Sequence, residues 1–229
     1  MDNIRYSLIA NIIRAIPSVI PHLKASYYKT YDFMLRTIEG LVRGVYNGNL
    51  GGDFVDILQS LIEGQMRQAY QAAFEDAGFT DMFMPDYLNE ALQETILQQT
   101  NFDYIYQYYK DIIDARTDGT SIDPLLSRAG LWANRYSEAY GNAVLLINSN
   151  NGGRMIWKLG ATEQHCSTCA GLNGIVAFAR EWDELGVHPQ GAPNDILECG
   201  GWRCDCSLEA TDQRRSPKAY DTILNIVGR

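Results

Sequence analysis

Apolar residues recur at three- and four-residue steps over the first two thirds of the chain, the spacing that keeps them on one side of an α-helix. Ile9, Ile12, Ile13, Ile16, Val19, Ile20 and Leu23 follow it. Residues 4–44 therefore read as helix in two or more pieces, split around Pro17 and Pro21, since proline lacks the amide a helix ladder needs. The Gly/Asn-rich stretch NGNLGGD, residues 47–53, reads as a loop with Asp53 placed to cap the next helix. From residue 54, Phe54, Leu58, Leu61, Ile62, Gln65, Ala69 and Ala73 share one side of that helix, with Met66, Tyr70 and Phe74 beside them, and Gly78 ends it.

A short apolar loop, FTDMFMP, leads to a third helical region over about residues 86–116, which carries the tract FDYIYQYYKDII. Four tyrosines in six residues cannot share one buried face. Some face a partner or another helix, or else cap a helical core with hydroxyls in water. TDGTSIDP is the next break, and Pro124 suits a first helical turn. Leu125, Ala129, Trp132, Tyr136, Ala139, Ala143 and Ile147 then predict one amphipathic helix of about 25 residues, ending at NSNNGG.

Past residue 153 the period drops to two. RMIWKLGA alternates Met155, Trp157 and Leu159 and reads as a strand; GIVAFA reads as a second; REWDELG is a turn or two of helix. RCDCSLEA alternates Cys204, Cys206 and Leu208 and reads as a third strand. The expected fold class is α+β, a mostly helical N-terminal region followed by a small zinc-stapled module with short strands. The chain divides into three segments: an amphipathic helical docking segment over 1–50, a helical domain over 51–150, and a cysteine-rich α+β module over 151–229. No internal repeat is visible.

Composition adds constraints on function. The chain has 229 residues, 46% hydrophobic, enough for a real core. Its net charge is −9, of which residues 151–229 carry only −2. Neither half has the basic excess that phosphate neutralisation requires, so nucleic acid is disfavoured as the main ligand. The Ile-rich start is broken by Arg5, Asn11, Arg14, Pro17 and Pro21 and is too interrupted for a spanning helix. No membrane association is expected. No export signal is evident, so a reducing cytoplasm is the default setting, where clustered cysteines are more often metal ligands or reactive thiols than disulfides.

The cysteines carry the chemistry. All five lie between residues 166 and 206, and the first 165 residues hold none. Cys166 and Cys169 have C-x-x-C spacing, which turns two thiolates toward one point. Cys204 and Cys206 share a face if they lie on a strand, and Cys199 precedes them across a GGWR turn. Two such pairs make a tetrahedral zinc site at bond lengths of about 2.3 Å, and a thin module gains folding free energy from such a metal. Five thiols compete for four places. Cys166 and Cys169 are the first choices; Cys199, Cys204 and Cys206 compete for the rest, with His165 and His188 as outside candidates. Free buried thiols and disulfides are the alternatives. Trp157, Trp182 and Trp202 are expected to wall the site or simply to pack a core. A catalytic use, with Cys166 or Cys169 as nucleophile, His165 or His188 as base and Glu163 as acid, is geometrically awkward because neighbouring residues point apart. No catalytic residue is assigned.

The order of these features resembles a known family. An acidic helical region, RAGLWANRYSEAYGNA, then WKLGATEQHCSTCAGLNGIV, then LECGGWRCDCSL, resembles the phage Mu F-like minor head proteins, the head morphogenesis family of tailed bacteriophages. Trp157, Glu163, Cys166, Cys169, Leu172, Gly174, Cys204 and Cys206 carry the match, which spans roughly residues 125–210. Two features depart from it. The family's His-Pro element directly precedes the closing cysteine pair, whereas His188-Pro189 lies well upstream with Cys199 nearer the pair. Asp205 stands where an arginine is common. The resemblance implies a non-enzymatic minor virion protein, made in the host cytoplasm. It would dock on a portal or major capsid protein, with self-association in a ring as a further option. A zinc-ribbon-like nucleic-acid-binding packaging factor and a cysteine- or zinc-dependent hydrolase are the rival readings.

Overall fold

Two units divide the chain, and neither is a continuous stretch: one gathers residues 1–68 and 95–136, the other residues 69–94 and 137–229. The computed structural model describes residues 31–79, 83–160, 164–190, 194–201 and 206–228. The apolar segment before residue 31, much of the expected docking segment, lies outside the described residues, as do Glu163, Trp202, Cys204 and Asp205.

The first unit is helical. Its described elements are α1 (Tyr31–Tyr46), the start of α2 (Asp53–Asp76), the end of α3 (Asp86–Gln99), α4 (Phe102–Asp118) and α5 (Asp123–Ala133). Met34, Ile38, Val42 and Val45 of α1 are wholly buried, and α1 packs against α4 and α5. Phe54, Leu58 and Ile62 line the same buried side of α2, as the periodicity predicts. Tyr108 is fully buried between helices. Its hydroxyl donates to the Leu125 carbonyl at 2.6 Å, and the Arg128 guanidinium, paired with Asp111, lies 4.7 Å from its ring centre.

Two helical stretches expected from the sequence are each broken, one by a local cap and the other by a side chain distant in sequence. The third helical region divides at residues 100–101, where the Asn101 side chain caps α4 by accepting the Asp103 N–H at 2.9 Å. The long helix expected after Pro124 divides at Asn134 into α5 and α6 (Arg135–Asn150). Gln65 is fully buried and its Nε2 donates to the Ala133 carbonyl at 2.8 Å. That carbonyl would otherwise serve the next turn of an unbroken helix. Pro124 does sit in the first turn of α5.

The second unit holds the sheet. Its elements are the end of α2, the start of α3, α6, β1 (Arg154–Lys158), α7 (Ser167–Leu172), β2 (Val176–Phe178), α8 (Ala179–Glu184), β3 (Ser207–Ala210) and α9 (Ala219–Ile226). The strands form an antiparallel sheet in the order β2-β1-β3, with Met155 opposite Ala177 and Trp157 opposite Leu208. β1 is the central strand, and Ile156 is buried along with Met155 and Trp157. The simple alternation expected there therefore gives way to burial on both faces. With helices before the sheet and around it, the fold is α+β, as the sequence indicates.

One ion pair ties the C-terminal stretch to α8. Glu181 accepts from Arg215 Nε at 2.9 Å and Nη2 at 2.5 Å, and also from the Phe178 N–H at 2.9 Å. The Arg215 hydrogen bond, aided by the Phe178 amide and against the opposing pull of burial, holds the Glu181 carboxyl below its ordinary range. A carboxyl depressed on folding contributes stability above its unfolded pKa of about 4.3, and this is lost as pH falls through the folded value. Glu181→Gln is expected to cost about 1.5–3 kcal/mol at pH 7, the worth of hydrogen bonds to a charged group. The gap to wild type should close as unfolding is followed down to pH 3. A gap that stayed constant across that range would show that the ion pair does not carry the effect.

Candidate metal centre

Three thiols meet in the second unit, two from one C-x-x-C turn and a third from 30 residues further on. The metal-binding atoms of Cys166, Cys169 and Cys199 all lie within 4.8 Å of one another, with Cys169 Sγ 3.9 Å from Cys199 Sγ. Cys166 occupies the N-cap of α7, where its Sγ accepts the Cys169 N–H at 3.4 Å. The C-x-x-C spacing thus becomes one turn of helix that carries its two thiols on the same side. Cys169 is fully buried, and Cys166 and Cys199 are half-buried.

Cys199 arrives from a loop of different construction. Asn194 N–H donates to the Gly200 carbonyl at 2.9 Å, and its side chain accepts from the Ile196 N–H at 3.0 Å. Gly200 and Gly201 have φ of +62° and +76°, a left-handed pair that residues with a Cβ rarely adopt. The GG of the sequence is thus what lets the chain turn directly after Cys199.

Glu198 binds this loop to α7. Its Oε2 accepts the Ser167 N–H at 2.8 Å and the Ser167 hydroxyl at 2.5 Å, and its own N–H donates to Thr168 Oγ1 at 3.4 Å. The Ser167 hydroxyl and amide hold the Glu198 carboxyl below its ordinary range. In the sequence, the one signal for Glu198 is its place directly before a candidate ligand.

The thiols also tune one another. Burial pushes the Cys166 thiol up, but hydrogen bonds from the backbone and side chains of Cys169 and Cys199 outweigh it and hold the thiol below its ordinary range. A thiol eased toward thiolate among two others is the donor set that soft and borderline metal ions prefer. The three cysteines are therefore close enough, and of the right chemistry, to hold a metal ion.

The other expected ligands are placed differently. Cys206 is buried just before β3, and its Sγ lies 3.8 Å from His165 Nδ1. It is outside the three-thiol group. Cys204 lies outside the described residues. His188 Nε2 stands 3.7 Å from Asp183, with its imidazole held down by burial against the pull of that carboxylate. No disulfide joins the four described cysteines to one another. Trp157 and Trp182 are fully buried, 5.8 Å apart between ring centres, in the same apolar cluster as Cys169 and Cys206. They pack the core that backs the centre.

Fold and site together define an α+β protein with a three-cysteine candidate metal centre backed by a tryptophan core. Compared with family models, with curated proteins and with solved structures, the chain matched nothing.

Proposed function

We propose that the chain is a minor head protein of a tailed bacteriophage, with a structural zinc ion at the cysteine centre and no catalytic role. The reading rests on the resemblance over residues 125–210. The observation that carries its metal part is the convergence of Cys166 and Cys169 with Cys199. Zinc suits thiolate ligands without redox chemistry, and structural sites of this kind are four-coordinate. The fourth place falls to one of Cys204, Cys206 and His165. In this reading the ion pins the loop around residue 199 to α7 and so stiffens the C-terminal module.

The same reading assigns the partner as a portal or major capsid protein, and the first unit offers a surface suited to it. Phe102, Tyr104 and Tyr106 at the start of α4 are 54%, 70% and 44% exposed, and Phe102 stacks on Tyr106 at 5.4 Å. Stacked, exposed aromatic rings are what protein interfaces favour, and the two tyrosines add polar tips. No helix among the described residues is long and apolar enough to cross a membrane.

Counting the chain against portal and major capsid proteins by quantitative mass spectrometry of gradient-purified particles tests the proposal. On the order of a dozen copies or fewer per particle is the expected result, as for a component of a symmetric ring at one vertex. Presence in procapsids alone would make the chain an assembly factor, and absence from both particles would overturn the virion reading.

A further inference from the structure

We infer that Glu198 is the positioning residue of the cysteine centre, setting its metal affinity by holding the Cys199 loop in register with α7. The inference rests on the metal reading above. Three hydrogen bonds join the two segments through residue 198: two from Ser167 to the carboxylate and one from the Glu198 amide to Thr168. Each touches a residue that neighbours a thiol of the centre or lies between two of them. Ser167 follows Cys166, Thr168 precedes Cys169, and Glu198 precedes Cys199.

The bonding pattern makes the role specific. The Ser167 amide is one of the first-turn groups that a helix leaves without an internal partner. The Glu198 carboxylate satisfies it from another segment, just as Cys166 Sγ satisfies the Cys169 amide from within the helix. On its other side, Cys199 is followed by Gly200, whose carbonyl accepts the Asn194 N–H at 2.9 Å and whose own N–H donates to the Leu197 carbonyl at 2.7 Å. Those bonds close the loop on itself without reaching α7, so the Glu198 bonds are what set its register with that helix. Residues that orient metal ligands without touching the metal typically govern affinity by about tenfold to a hundredfold.

Glu198 is also exposed, so removing its side chain opens no hole in the core. Its loss should register at the metal rather than in the fold. The test is zinc competition against a chromophoric chelator, together with the cobalt(II) absorption spectrum, on the full chain. Glu198→Ala is expected to bind zinc about tenfold to a hundredfold more weakly, with reduced thiolate-to-cobalt charge transfer and an unchanged circular dichroism spectrum when loaded. Glu198→Gln keeps an acceptor oxygen and is expected to recover most of the affinity. If Glu198→Ala fails to fold, Ser167→Ala decides, since it deletes one donor to the same carboxylate and should weaken binding several-fold, by about the worth of one hydrogen bond. Either alanine variant binding as tightly as wild type, where it folds, overturns this inference and leaves the metal reading standing. Wild type that binds neither zinc nor cobalt overturns both.

Discussion

Replacing Cys166 and Cys169 together with serine is expected to abolish metal binding and to unfold the module over residues 154–210, while α1, α4 and α5 stay folded. The serine at 169 would stand at a fully buried position within the apolar cluster that contains Trp157, Trp182 and Leu172. A hydroxyl there has lost its metal and costs about 1–3 kcal/mol if unpartnered. On the proposed structural-zinc reading, loss of the ion is the larger effect. Structural zinc supplies about 10–16 kcal/mol of apparent folding free energy in isolated finger peptides. Here the module also has its own buried core, so a loss of several kcal/mol is the reasonable scale. Hydrogen exchange in zinc-containing buffer, variant against wild type, is the measurement: in the variant, protection should vanish in β1, α7, β2 and β3 and persist in α1 and α4. Chelation of the wild-type protein should give the same map. A double variant that kept its protection and protease resistance would show that the centre is not a structural metal site.

Trp182→Ala is expected to cost about 3–5 kcal/mol, the usual range for deleting a fully buried indole. Trp182 has no exposed surface, packs against Trp157, and donates its Nε1–H to the Met155 carbonyl at 3.3 Å. Its removal leaves a cavity behind the central strand and a strand carbonyl short of one donor. Against a typical total of about 5–15 kcal/mol, this is a large fraction of the stability of a domain. Trp182→Phe keeps much of the apolar volume and should cost clearly less. Urea unfolding of zinc-saturated protein followed by circular dichroism makes the comparison. The loss should persist at saturating zinc, because burial and metal ligation are separate contributions. A variant within about 0.5 kcal/mol of wild type, the scale of an inconsequential surface change, would mean the tryptophan pair does not carry this core.

These two variants also separate what was legible in the chain from what was not. The buried stripe of α2, the helix end before Gly78, the first turn at Pro124 and the change from helical to strand period after residue 153 all come from local spacing. Local spacing is a property of a few neighbouring residues. The break at Asn101 was legible too, since an asparagine before FDYIYQ is a capping signal. The break at Asn134 was not. It depends on the Gln65 amide, 68 residues away, reaching the Ala133 carbonyl, and nothing near residue 134 announces that partner.

The cysteine centre divides along the same line. Residue type and spacing were enough to place Cys166 and Cys169 at one point, because a C-x-x-C unit is closed within a single helical turn. Choosing between Cys199 and Cys206, the two later cysteines that the structure describes, required the fold. Cys199 joins the first pair and Cys206 lies beside His165, an outcome set by the turn at Gly200–Gly201 and by the Glu198 bonds to α7. Periodicity and motif spacing report interactions between residues close along the chain, and those determine the helices, the strands and the first two thiols. A third thiol drawn from 30 residues further on, and the carboxylate bonded to α7 beside it, depend on which loop packs against which helix, and that is decided only when the chain has folded.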